Sequence, residues 1–163
     1  MLTWEQICQH PGLRDLPFKV ETDERGRIIM SPAKNYHGAQ QNHIGYLLKM
    51  LAPDGIGITE CAIETRAGVK VADVAWLTWA HFDVAESQAA CDRSPAICIE
   101  IVSGSNTAAD MDQKRALYFE HGAEEVWLCE DGAMRFFTLA GEVEASPRIP
   151  QFPRRVDYRR PRP

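Results

Sequence analysis

The sequence predicts a mixed α/β domain, a central sheet flanked by helices. Three observations carry that expectation. Strand and helix periodicities alternate along 163 residues, a length that buries a sizeable core in a single domain. Residues 97–102, ICIEIV, form the apolar run of a buried strand and lead within a few residues into a helical pattern. The composition, 45% hydrophobic and 25% charged, is that of an ordinary globular chain and argues against wholesale disorder.

Taken in order, residues 3–10 read as a short opening helix that Pro11-Gly12 stops. FKVETD and RIIMSP read as the two strands of a hairpin, with Gly26 near its turn. In residues 37–51, Ile44, Leu47, Leu48 and Leu51 recur at helical spacing, and the PDGIG stretch at 53–57 ends that helix. CAIETRAGVKVADVAWLTW supplies two more strands around an Ala67-Gly68 turn, and residues 81–94 read as a polar connection. A strand at 96–102, a helix at 108–121, the strand EEVWLCED, a tight Asp131-Gly132 turn and the strand AMRFFTL complete the domain.

Charge divides the chain. Residues 146–163, SPRIPQFPRRVDYRRPRP, hold six arginines, one acid and five of the ten prolines. They are expected to form an extended tail outside a single domain of residues 1–145. That leaves the body with 12 basic against 22 acidic residues, a balance that does not advertise nucleic-acid binding. The five cysteines are scattered without a C-x-x-C pair, which speaks against a disulfide framework or a zinc site. No apolar run approaches the ~20 residues that span a bilayer, so no membrane partner is expected. MLTWEQICQHPGL lacks the basic start and apolar stretch of a signal peptide, and a cytoplasmic location is the expectation.

Two carboxylates break the apolar patterning. Glu100 sits inside ICIEIV, and Asp73 interrupts a strand face shared with Val71, Ala75 and Leu77. A carboxylate is almost never buried without a partner. Thr107 with Asp110 makes a capping-box start to the next helix, on which Lys114 lies one turn from both Asp110 and Tyr118. A helix that follows the strand directly can bring Lys114 back over Glu100. Paired carboxylates from different strands bind a hard divalent cation such as Mg2+, with Mn2+ as a substitute. Such an ion activates water and offsets phosphate charge, while a lysine steadies a developing oxyanion. This is the set that phosphodiester hydrolysis needs; a structural ion pair is the alternative for the same residues. His37 and His43, six apart, fall on different helix faces and are expected at the surface or helix start, with His37 able to line a cleft. Trp76, Trp79 and Trp127 read as core or interface aromatics.

The ordered series FKVETDERGRIIMSPA, VADVAWL and ICIEIVSGSNTAADMDQKRALYFEHGAEEVWLCED resembles the Uma-type family of restriction endonucleases, within the PD-(D/E)XK nuclease superfamily. The resemblance implies a restriction-endonuclease-like fold and a metal-dependent DNA endonuclease, with DNA as partner and Mg2+ as cofactor. It makes Asp73 and Glu100 metal ligands, joined by the backbone carbonyl of Ile101. It makes Lys114 the catalytic lysine, because the superfamily's usual position two residues past the acid holds Val102. It gives Glu21 a site role near the metal or its water, and matches Tyr118 to a helix tyrosine. Ala72 stands where the superfamily has proline, a change that removes no chemical group. Two further readings remain beside it: a catalytically inactive nuclease-fold protein that binds a partner, and an assembly protein whose strand edges and tryptophans build a homodimer.

Overall fold

The computed structural model describes residues 2–32, 34–104 and 106–156. Its elements run α1 (Trp4–Gln9), β1 (Phe18–Thr22), β2 (Ile28–Pro32), α2 (Asn35–Leu51), β3 (Gly55–Thr65) and β4 (Gly68–Thr78). Then follow α3 (Trp79–Ala85), β5 (Ile97–Val102), α4 (Ala108–Glu120), β6 (Glu125–Glu130), β7 (Ala133–Thr138) and β8 (Gly141–Val143). Strands β3 to β8 make one sheet in chain order, and β1 pairs with β2 in a separate hairpin. All neighbours are antiparallel except β5 and β6, which run parallel because α4 carries the chain back between them. The result is the mixed central sheet with flanking helices that the periodicities predict.

The pleat divides β5 between two cores. Ile97, Ile99 and Ile101 pack with Val74, Trp76 and Trp127 beneath Ile44 and Leu48 of α2. Cys98 faces the other way, among Ala75, Leu77 and Val126, beneath Tyr118 of α4. Both helix faces are therefore set by the apolar spacing that the sequence displays.

Three element boundaries differ from expectation. The PDGIG stretch ends α2, but β3 begins inside it at Gly55, where a side chain would meet the Leu77 carbonyl at 2.2 Å and the Trp76 ring at 2.4 Å. Glycine lets this strand start close against a buried indole. Residues 79–85, expected to end a strand and open a connection, form α3, capped by Thr78, whose Oγ1 accepts the His81 N–H at 3.2 Å. The short strand β8 was not foreseen in a sequence of only three residues, GEV.

The proposed tail also needs correction. Residues 146–156 do not lie apart from the domain: Ile149, Phe152 and Val156 are buried in the α2-side core, with Phe152 against the Trp127 ring at 4.6 Å between centroids. Glu125, itself buried, takes the Trp127 Nε1–H and the Arg148 N–H, both at 2.8 Å. The Val156 N–H donates to the Gly132 carbonyl at 2.7 Å. Arginine and proline content suggested a solvated coil, but three apolar residues among them were enough to bring the segment home. Residues 157–163 of that tail lie outside the described residues.

Candidate active site

Asp73 and Glu100 come from adjacent strands. The β4–β5 ladder pairs Trp76 with Ile97, Ala75 with Cys98 and Val74 with Ile99, and the next step in that register sets Asp73 opposite Glu100 on one sheet face. There the ladder ends, and carboxylates take over the backbone groups it leaves. The Ile101 N–H donates to Asp73 Oδ2 at 2.7 Å, and the Val71 N–H donates to Glu21 Oε1 at 2.8 Å. On the other side of β4 the ladder also skips Asp73: Glu60 sits at φ 53, a left-handed conformation that is costly for a side-chain-bearing residue. Gln41 of α2 donates from Nε2 to the Asp73 carbonyl at 3.2 Å and also to Glu60. The sheet thus opens around one aspartate, and that opening is the site.

The acids are almost wholly buried, Asp73 at 2% and Glu100 at 3% exposure, so they need partners. Lys114 bridges Glu21 Oε1 at 2.7 Å and Glu100 Oε2 at 3.1 Å, where helix spacing predicts it. Tyr118, one turn on and fully buried, donates its hydroxyl to Glu100 Oε1 at 2.6 Å. Asp110 serves as the reciprocal partner of Thr107 in the helix cap. Two more residues enter: Lys19, which no sequence pattern marks, and His37, which the sequence places at the helix start and able to line a cleft. Lys19 of β1 pairs with Asp73 Oδ1 and lies 3.9 Å from Glu100 Oε2. His37, expected at the helix start or surface, places Nε2 3.1 Å from Asp73 Oδ1. Neither residue breaks a pattern in its own segment, so only the three-dimensional closure of β1 and α2 on β4 reveals their pairing with Asp73. His43 makes no contact with the acids among the described residues.

Charge compensation sets the protonation of the cluster. Burial pushes the Asp73 carboxyl upward, but the hydrogen bond with His37 and the Lys19 charge outweigh it and hold Asp73 well below the usual carboxylate range. Burial dominates at Glu100 and raises it, against the pull of Lys114 and Lys19. Burial works to lower Lys19 and Lys114, yet Glu100 with Asp73 raises the first, and Glu100 with Glu21 raises the second. Both lysines stay charged. Glu21 is drawn down against its burial by Lys114 and then Lys19. Two neighbouring acids are therefore pushed in opposite directions, a common property of working sites.

These groups line a cleft of about 780 Å³ between the β1–β2 hairpin, the start of α2 and the start of α4. Lys34 and Lys70 also line it, so lysines stand among the acids of the cleft. The donor chemistry fits a hard divalent cation. Asp73 and Glu100 already share one cation, the Lys19 ammonium, and His37, Glu60 and Asp73 offer ligand atoms within 4.8 Å of one another.

Two paired acids thus stand where the sheet opens, beside a lysine delivered by the following helix. The chain matches the Uma2 family model, described as "Putative restriction endonuclease", over residues 4–156, and it belongs to that family. Its fold resembles the crystal structure of a protein described as a "putative nuclease" from Anabaena variabilis, with a TM-score of 0.66 at 16% sequence identity, covering 85% of this chain and 80% of that one. No curated protein sequence matches the chain. The family match extends to residue 156, in keeping with the packing of residues 146–156 into the core.

Proposed function

We propose that the protein is a divalent-metal-dependent DNA endonuclease that hydrolyses phosphodiester bonds at the Asp73–Glu100 cleft. The supporting observation is the convergence of these two buried carboxylates, from neighbouring strands and on one face, around a cationic position beside Lys114. Asp73 and Glu100 would hold Mg2+, with Mn2+ able to replace it. The Ile101 carbonyl would be the third ligand: its N–H already turns to Asp73, and the N–H and C=O of a strand residue leave on the same side. When bound, the ion supplies an acidified water and offsets charge on the phosphate.

The remaining work falls to the chain's own groups. Asp73, kept ionised by Lys19 and His37, retains its negative charge at neutral pH. Tyr118 and Lys114 fix the rotamer of Glu100 by binding its two oxygens. Glu21 holds the Lys114 ammonium in the cleft, where it stabilises negative charge that develops on the phosphate. Glu21 thus acts through Lys114, a positioning role. Lys34 at the rim attracts the DNA backbone that the acidic surface would otherwise repel. All five cysteines are free, which suits a reducing, cytoplasmic setting. The active form is proposed to be a homodimer; Trp76 is buried, so Trp79, half exposed, is the tryptophan left to an interface.

Supercoiled plasmid incubated with Mg2+ or Mn2+ tests this reading. Nicking should appear only with the metal and fall at least ~100-fold in Asp73→Ala and in Lys114→Ala, a loss typical of a removed electrostatic stabiliser. A catalytically inactive binding protein would leave the plasmid intact, and metal would leave its melting temperature unchanged.

A further inference from the structure

Lys19 touches both carboxylates assigned to the metal, yet beyond helping to keep Asp73 ionised it has no task in the hydrolytic chemistry. Its side chain is 14% exposed, and among the described residues its ion partners within 4 Å are Asp73 and Glu100, the two carboxylates assigned to the metal. Lys114 stands differently. Glu21 holds it at 2.7 Å and is itself pinned by the Val71 N–H, so Lys114 keeps a partner whatever Glu100 binds. Lys19 keeps none.

Both oxygens of Asp73 already have partners, and Oδ1 has two. Oδ2 accepts from the Ile101 N–H, and Oδ1 faces both Lys19 and His37. A cation that takes Oδ1 must therefore evict one of them. An imidazole can share a metal's coordination sphere, whereas an ammonium has no lone pair to offer and repels the ion. The ammonium is the group that leaves. It does not have far to go, because Lys19 already lines the cleft where a phosphate would lie.

We propose that Lys19 is the internal counterion of the metal-free site, displaced from Asp73 and Glu100 by a divalent cation and released toward the cleft. The proposal rests on Asp73 and Glu100 being the metal ligands. Its function is twofold. Without metal, the ammonium offsets the mutual repulsion of the buried acids and keeps the site assembled. With metal, the released charge becomes a contact for substrate phosphate, so that metal and DNA each favour the other's binding.

Two measurements test it, both on protein without DNA. In the wild-type chain, lysine acylation read by mass spectrometry should accelerate severalfold at Lys19 when Mn2+ saturates the site, while Lys34 reacts at an unchanged rate. Electron paramagnetic resonance of free Mn2+ should show Lys19→Met binding manganese at least tenfold tighter than wild type, and Lys34→Met, which removes the same charge from the rim, within about twofold. The acylation measurement needs no variant and stands even if Lys19→Met folds poorly. Manganese binding to wild type with Lys19 no more reactive, or to Lys19→Met with no gain in affinity, overturns the role of Lys19 alone. Failure of every protein to bind manganese overturns the metal reading itself and this proposal with it.

Discussion

Lys114 carries the site's energetics at the scale of single residues. It is one cation shared by two carboxylates, Glu21 and Glu100, all with side chains mostly hidden from water. Removing one member of such a set leaves uncompensated charge in a poorly solvated place, which costs about 3 kcal/mol or more. Lys114→Met is expected to lose that much stability in urea unfolding, and Glu21→Gln combined with it should lose clearly less than the sum of the two single changes. Additive losses would show that the pair is not coupled. Asp73, Glu100 and Lys114 are legible in the sequence for one physical reason: each acid violates an apolar alternation, and the capping box fixes the helix phase that returns the lysine. Lys19 and His37 violate nothing. FKVETD alternates as an ordinary hairpin strand should, and a histidine in the first turn of a helix is unremarkable. Their contribution arises only when β1 and α2 close on β4, a tertiary event with no local signature. Glu60 is hidden for a similar reason, since its left-handed backbone follows from the interrupted ladder and not from a glycine or asparagine in the sequence.

Secondary-structure elements deliver these side chains, and the delivery depends on where each one stops. Strand β5 diverges from β4 after Ile99, freeing the backbone groups that Asp73 and Glu21 then satisfy. Helix α4 must start where Thr107 and Asp110 cap each other for Lys114 to land between Glu21 and Glu100. Thr107→Ala should therefore lower global stability by about 1 kcal/mol, measured by chemical denaturation. A change within error would mean that the start of α4 is fixed by packing of Met111 and Leu117 alone. The strands and helices with strong periodicity were legible from sequence. Helix α3 was not, because tryptophan, alanine and histidine at its start continue the apolar character of β4, and only the Thr78 cap marks the change. The start of β3 was obscured by glycines that usually terminate structure but here permit close approach to Trp76.

For the molecule as a whole, the same sheet supports the apolar clusters on its faces and the cleft that holds the acids. The segment 146–156 completes the core beneath α2, adding Ile149, Phe152 and Val156 to a cluster around Trp127. Ending the chain at residue 145 would expose that cluster and remove three buried apolar side chains, a loss on the order of 5 kcal/mol. The shortened protein is expected to show at least a much lower melting temperature by calorimetry; an unchanged one would restore the picture of a detachable tail. Composition misled here because charge and proline are counted over a window, whereas burial is decided by a few apolar residues within it. The acidic balance of the whole chain does not show how charge is arranged in the cleft, where Lys19, Lys34, Lys70 and Lys114 stand among the acids. The proposed function depends on those acids taking a divalent ion. A crystal soaked in Mn2+ and recorded at the manganese absorption edge tests that most directly: anomalous density should lie between the carboxylates of Asp73 and Glu100. A soaked crystal with no such density there, at a metal concentration that supports nicking, would contradict the account.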